Sequence, residues 1–122
     1  MLDPNVIAAS YAALWNEPDP IERRKGIEAL WAPTGVHYTP SLAALDLDAI
    51  ERRVATAYQK WVAEEGCCFV SVGNAQHHHE GVRFNWHMMR GDKIASVGFD
   101  FVLLNPNGQI LSDHQFVDPN PT

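Results

Sequence analysis

The sequence predicts an α+β domain, with three helices in its first half and a run of antiparallel strands in its second. Three observations carry this. Before Gly66, apolar residues recur mostly at helical spacing behind Asp-Pro or acidic start signals. After Gly66 they alternate with a period of two. The alternating half is punctuated by glycine-containing turns at Glu80-Gly81, Gly91-Asp92 and Asn105-Pro106-Asn107-Gly108.

Each element has a local reason. Asp3 caps the first helix and Pro4 takes its first position, with Val6, Ile7, Tyr11, Leu14 and Trp15 at helical spacing. Asn16-Glu17-Pro18-Asp19 breaks it. Asp19 caps a second helix, with Pro20 in its first turn and Glu22 three residues after the cap; Ile21, Ile27, Leu30 and Trp31 are its apolar residues. Pro33 and Gly35 stop that helix, and Val36–Thr39 is a short strand ended by Pro40. A loop from Ser41 to Leu45 leads to the third helix. There Asp48 and Glu51 suggest a capping box, and Leu47, Ile50, Val54, Tyr58, Trp61 and Val62 form the apolar stripe. Gly66 terminates it. Strands are expected at 67–79, 82–90, 93–104 and 109–117, antiparallel because the turns are short. Residues 1–117 then form a single domain, and 118–122 a frayed tail.

Composition narrows the function. A chain of 122 residues suits one core. Its net charge of −6 argues against nucleic acid and against an anionic membrane as partners. Arg23-Arg24-Lys25 and Arg52-Arg53 fall on predicted helices and read as solvated faces. No apolar run is long enough to span a bilayer, and Met1-Leu2-Asp3-Pro4 has none of the features of a signal peptide. Cys67 and Cys68 are adjacent, which makes no disulfide scaffold, so they read as small packing residues. The expected location is cytoplasmic, with reduced thiols.

Asp100 is the anomaly. It lies between Phe99 and Phe101 in a strand apolar enough to be buried. A carboxylate there must be paired, hydrogen-bonded or protonated. Alternation puts Val97, Phe99, Phe101 and Leu103 on one face, and Ser96, Gly98, Asp100, Val102 and Leu104 on the other. On the preceding strand Phe84, Trp86 and Met88 share one face, and Arg83, Asn85, His87 and Met89 the other. Two arrangements remain open. The apolar faces can pack on the helices with the polar faces in solvent. Alternatively, the polar faces line a cavity and the apolar faces meet a second subunit.

The order helix–helix–strand–helix followed by long antiparallel strands resembles the nuclear transport factor 2-like superfamily. Within it, Arg83-Phe84-Asn85-Trp86, Gly98-Phe99-Asp100-Phe101 and Asn107-Gly108-Gln109-Ile110 resemble the C-terminal half of a SnoaL-like polyketide cyclase or ketosteroid isomerase-like domain. The resemblance implies a cone: a curved antiparallel sheet wrapped around three N-terminal helices, as in cystatin-like folds, with an internal pocket. It also implies a homodimer through the outer sheet face, here Phe84, Trp86, Phe99 and Phe101. By resemblance to ketosteroid isomerase, Asp100 and Tyr11 fall at the oxyanion-hole acid and tyrosine, and Trp31 at a further pocket position. The general-base aspartate of that enzyme is replaced by Thr39, which removes its proton-abstraction mechanism.

The expected function is binding of a small, partly apolar organic molecule, with cofactor-free acid–base chemistry of the isomerase, cyclase or dehydratase kind. The alternative is a non-catalytic ligand-binding or dimeric accessory module. In the catalytic reading, Asp100 and Tyr11 stabilise developing negative charge. His87 or His37 moves the proton. Trp31, Arg83, Asn85, Thr39 and Asp113 line the substrate site, and a bulge in the last strand would substitute His114 for Asp113. The blander readings are an Asp100–Tyr11 structural tie, partly buried structural histidines and a rim salt bridge for Arg83. His77 and His79 can converge on one strand face near a turn, but no metal is expected.

Overall fold

A computed structural model describes residues 3–118. Helix α1 spans Pro4–Leu14 and α2 Pro20–Leu30. Strands β1 (Trp31–Thr39) and β2 (Leu42–Ala44) precede α3 (Leu47–Ala57), which runs into a π-helical segment, Tyr58–Glu64. Strands β3 (Cys67–Ser71), β4 (Gln76–His78), β5 (Gly81–Arg90), β6 (Lys93–Leu104) and β7 (Ile110–Val117) complete the chain. The expected tail, after Asp118, lies outside the described residues.

The helix starts follow from side-chain caps. Asp3 accepts from the Asn5 amide at 2.9 Å and Asp19 from Ile21 at 2.9 Å, each with proline next in the chain. The third cap departs from the expected capping box. Asp46 is the N-cap, accepting from Ala49 at 2.8 Å. Asp48 and Glu51 instead accept from Arg24 of α2, at 2.8 and 2.7 Å. Arg23 is no solvated residue either. It is buried, with its guanidinium donating to the Glu17 and Pro18 carbonyls across the α1–α2 turn.

The sheet has seven strands in the order β2-β1-β7-β6-β5-β3, with β4 also pairing to β5, where four or five antiparallel strands were expected. It is mixed, because β1 runs parallel to β7 with His37 opposite Asp113. Trp31 opens β1 rather than closing α2, and the predicted strand 67–79 is broken into β3 and β4. The three helices pack on one face of the sheet. Ile7, Tyr11, Ile27, Trp31, Ile50, Val54, Phe84 and Val102 meet there in the core, and full burial of each large side chain is worth roughly 1.5–3 kcal/mol.

One bulge decides which side chains look inward. The β5–β6 hairpin turns at Gly91, whose φ of 62° suits a two-residue loop. Arg90 then pairs with Lys93 and Met89 with Ile94. The next pair is Met88 with Ser96, so Ala95 is the extra residue of a β-bulge. From there on Phe84 is opposite Asp100, and Trp86 opposite Gly98. Without the bulge the two apolar faces would coincide. With it they lie on opposite sides of the sheet. Phe84, Trp86 and Met88 therefore point into the core, and Phe99, Phe101 and Leu103 point outward. This corrects the placement of Phe84 and Trp86 on an outer dimer face. It also turns Arg83, Asn85 and His87 away from Asp100.

Candidate functional site

Asp100, Asp113 and His37 are fully buried, and the Tyr11 ring nearly so. Sheet register places them side by side. Asp100 is opposite Gln115, Val102 opposite Asp113, and Asp113 opposite His37. Tyr11 descends from α1. Its hydroxyl lies 2.9 Å from Asp100 Oδ2 and 2.7 Å from Asp113 Oδ2. His37 Nδ1 lies 2.7 Å from Asp113 Oδ2, and Trp86 Nε1 donates to Asp100 Oδ1 at 2.8 Å.

A phenol has one proton to give, so it cannot donate to both acids. Burial and like charge assign the protons. Burial, reinforced by the charge of Asp113, pushes Asp100 well above the usual carboxylate range. Burial raises Asp113 to about 6, held there by its polar neighbours Asp100 and Tyr11 and by the Arg53 charge. Burial also lifts Tyr11 well above its ordinary value and lowers His37 to about 4. At neutral pH Asp100 is thus the protonated acid and donates to the Tyr11 oxygen. Tyr11 donates to the Asp113 carboxylate, and neutral His37 donates to it from Nδ1. The result is one polarised chain: Trp86, Asp100, Tyr11, Asp113, His37. His37 Nε2 and Asp113 Oδ1 are buried without a partner.

A cavity of about 360 Å3 opens beside this chain. Tyr11 and Trp86 belong to both the chain and the cavity wall. Trp15 just after α1, Arg53 of α3 and Trp61 of the π-helical segment close one side. Phe69, Met88 and Gln115 of the sheet close the other. Gly98 makes room for the indole of Trp86. A Cβ there would sit 2.3 Å from Trp86 Cζ2 and 2.4 Å from the Phe116 carbonyl oxygen.

His37, Asp100 and Asp113 offer three ligand atoms within 4.8 Å of one another, the one such cluster among the described residues. The Tyr11 hydroxyl already bridges the two carboxyl groups, so the geometry is that of a hydrogen-bond chain. His77 and His79 are exposed on and beside β4, bordering a separate groove.

Of the residues expected at a site, the structure gathers Asp100, Tyr11, His37 and Asp113. Trp31 is buried behind them, its ring centroid 5.7 Å from Tyr11 and its Nε1 donating to the Val36 carbonyl. Thr39 sits at the end of β1, paired with Leu42 and away from the cavity. Asp113, not His114, faces inward; His114 stacks outside on Tyr38 at 5.1 Å. His87, Arg83 and Asn85 are on the far side of the sheet, where Arg83 and Asn85 bond each other at 2.8 Å. Sequence reasoning missed Trp86, Trp15 and Arg53 as cavity residues. Arg53 was legible in principle, since it stands three residues after Ile50 and four before Ala57 on the stripe of α3.

Helices on one face of a seven-stranded mixed sheet, with a titratable cluster between them, give a nuclear transport factor 2-like, cystatin-like fold. Comparison with solved structures makes this specific. A SnoaL-like family protein from Agrobacterium tumefaciens strain C58, with a proposed isomerase activity, is 31% identical. The match covers 93% of this chain and 95% of that one at a TM-score of 0.83. The chain belongs to the SnoaL-like family. A SnoaL-like protein of unknown function from Burkholderia thailandensis E264 shares the fold at 9% identity, covering 93% and 96% of the two chains with a TM-score of 0.66. A nuclear transport factor 2-like protein of unknown function from Exiguobacterium sp. 255-15 does so at 15% identity, covering 93% and 99%, with a TM-score of 0.70. No family sequence model matches the chain, and no curated protein matches it by sequence.

Proposed function

We propose that the cavity binds a small, partly apolar organic molecule, and that the buried chain exchanges protons with it in an isomerase-, cyclase- or dehydratase-type reaction. The observation that carries this is Tyr11, which lines the cavity and stands between a protonated acid, Asp100, and an ionised one, Asp113. A phenol so placed can relay in either direction. It takes a proton from the ligand while passing its own to Asp113, or gives its own while taking that of Asp100. Asp113, held near pKa 6, is matched to a base working near neutrality. His37 orients its carboxylate and replaces neither role. The proposed isomerase activity of the Agrobacterium relative is consistent with such a relay.

The second reading is a non-catalytic binding module, favoured by the full burial of Asp100, Asp113 and His37. One experiment separates the two. Small ketones and phenols are titrated into the protein by calorimetry, and in D2O their α-carbons are followed by NMR. Binding with deuterium incorporation, lost in Tyr11→Phe, is expected. Binding without incorporation leaves the module; no binding defeats both readings.

A homodimer through the outer sheet face also belongs to the proposal. Phe99, Phe101, Leu103 and Phe116 stand there more than a third exposed, with Phe99 and Phe116 stacked at 4.7 Å. Sedimentation of wild type as a dimer and of Phe101→Lys as a monomer is expected; a monomeric wild type refutes it.

A further inference from the structure

The cavity carries a cation that donates no hydrogen bond to the proton relay. Arg53 reaches it from α3, with its guanidinium carbon 5.3 Å from the centroid of the Trp15 ring. Its Nη2 donates to Gln115 Oε1 at 3.1 Å, and its Nε is buried without a partner. Among the described residues no carboxylate makes an ion pair with Arg53. The other cavity arginine, Arg90, is paired with Glu65 at 3.0 Å. The nearby acids, Asp100 and Asp113, are spoken for by Tyr11, Trp86 and His37. Trp15, stacked on Arg53, has a second orphan: its Nε1 is buried and unpartnered, and it too lines the cavity. Guanidinium and indole N–H groups are donors only. Each is a donor without an acceptor on a residue of the cavity wall, and a half-buried cation requires negative charge.

We propose that the ligand is an anion, an apolar carboxylic acid whose carboxylate meets the Arg53 guanidinium while its body lies against Trp61, Phe69 and Trp86. This rests on the reading of the cavity as a small-molecule site and adds the class of molecule. Arginine suits a planar carboxylate because its fork presents parallel donors. The apolar wall suits a ring or short chain, and 360 Å3 is room for a small one. The carboxylate end is also placed by topology. Gln115, the partner of Arg53, lies opposite Asp100, so a ligand anchored there has its remaining atoms beside the Tyr11 relay.

The test pairs each acid with its neutral amide: benzoate, phenylacetate and 2-naphthoate against the matching carboxamides, by calorimetry at pH 7.5. Wild type is expected to bind at least one acid about tenfold or more tightly than its amide. Arg53→Gln should reduce that ratio to within about twofold, and Arg53→Lys should keep part of it. Equal affinity for acid and amide overturns the proposal while leaving a small-molecule cavity in place. Binding of neither overturns both. If Arg53→Gln does not fold, the wild-type and Arg53→Lys ratios decide.

Discussion

Asp100→Asn should make this protein more stable as pH rises, in a way that reads the protonation of the buried acid directly. In the unfolded chain Asp100 titrates at its ordinary value near 3.8, whereas in the fold burial holds its pKa well above that. Between those two values the unfolded state has released a proton that the folded state keeps. An acid raised in this way favours unfolding as pH climbs, and its cost grows by about 1.36 kcal/mol for each pH unit until the folded pKa is reached. Asparagine keeps the hydrogen bonds. Its carbonyl accepts from Trp86 as Asp100 Oδ1 does, and its amide donates to Tyr11 in place of the acid proton. One extra N–H is left over, an offset of about 1–3 kcal/mol that does not vary with pH. Loss of the Asp100 carboxyl also changes the surroundings of Asp113 and His37, whose titration it helps to set. The difference in unfolding free energy should therefore shift in favour of the variant as pH rises from 5 to 7. Asp100 has no exposed surface, so no discount for solvent screening applies. Urea unfolding followed by tryptophan fluorescence measures it, and a break in the slope reads the folded pKa. A difference that stays flat from pH 5 to pH 7 would mean that Asp100 is ionised in the fold, and the proton assignment along the chain would fail.

Two further outcomes test the architecture. Gly98→Ala places a methyl against Trp86 and the Phe116 carbonyl at 2.3 and 2.4 Å. It should cost about 3 kcal/mol or more in thermal unfolding and displace the indole from Asp100; a change below about 1 kcal/mol would deny the close approach. Asp46→Ala should cost about 1 kcal/mol in chemical denaturation through loss of the α3 cap. Asp48→Ala removes only an exposed ion pair and should cost less than about 0.5 kcal/mol. The reverse order would restore the capping box that the sequence suggested.

Much of the local structure was legible because it is caused locally. Asp3-Pro4 and Asp19-Pro20 start two helices through contacts two residues away. Gly66 and Gly91 take backbone angles that other residues avoid. The α3 cap was misplaced by two residues because Asp48 and Glu51 have the spacing of a capping box while Asp46 is followed at that spacing by Ala49, and Arg24, 24 positions before Asp48, claims both acids.

Which residues share a face with Asp100 followed from the chain alone, since period-two alternation within one strand is a local property; that this face looks inward followed only from the family resemblance. So did the pairing of Asp100 with Tyr11, once the family resemblance was stated. Which side of β5 faced Asp100 did not follow. That depends on a single extra residue, Ala95, and the energies that set a bulge are spread over two strands and the helices packed on them. Nor did the parallel pairing of β1 with β7, which brings His37 to Asp113 across 76 residues. Sequence determined most of the elements and the starts of the first two helices, because caps, turns and alternation act over a few residues. Tertiary structure decided which carboxylate keeps its proton, which histidine meets the acid and which arginine stands at the cavity wall. Each of those outcomes is a matter of burial and charge between groups that only the folded chain brings together.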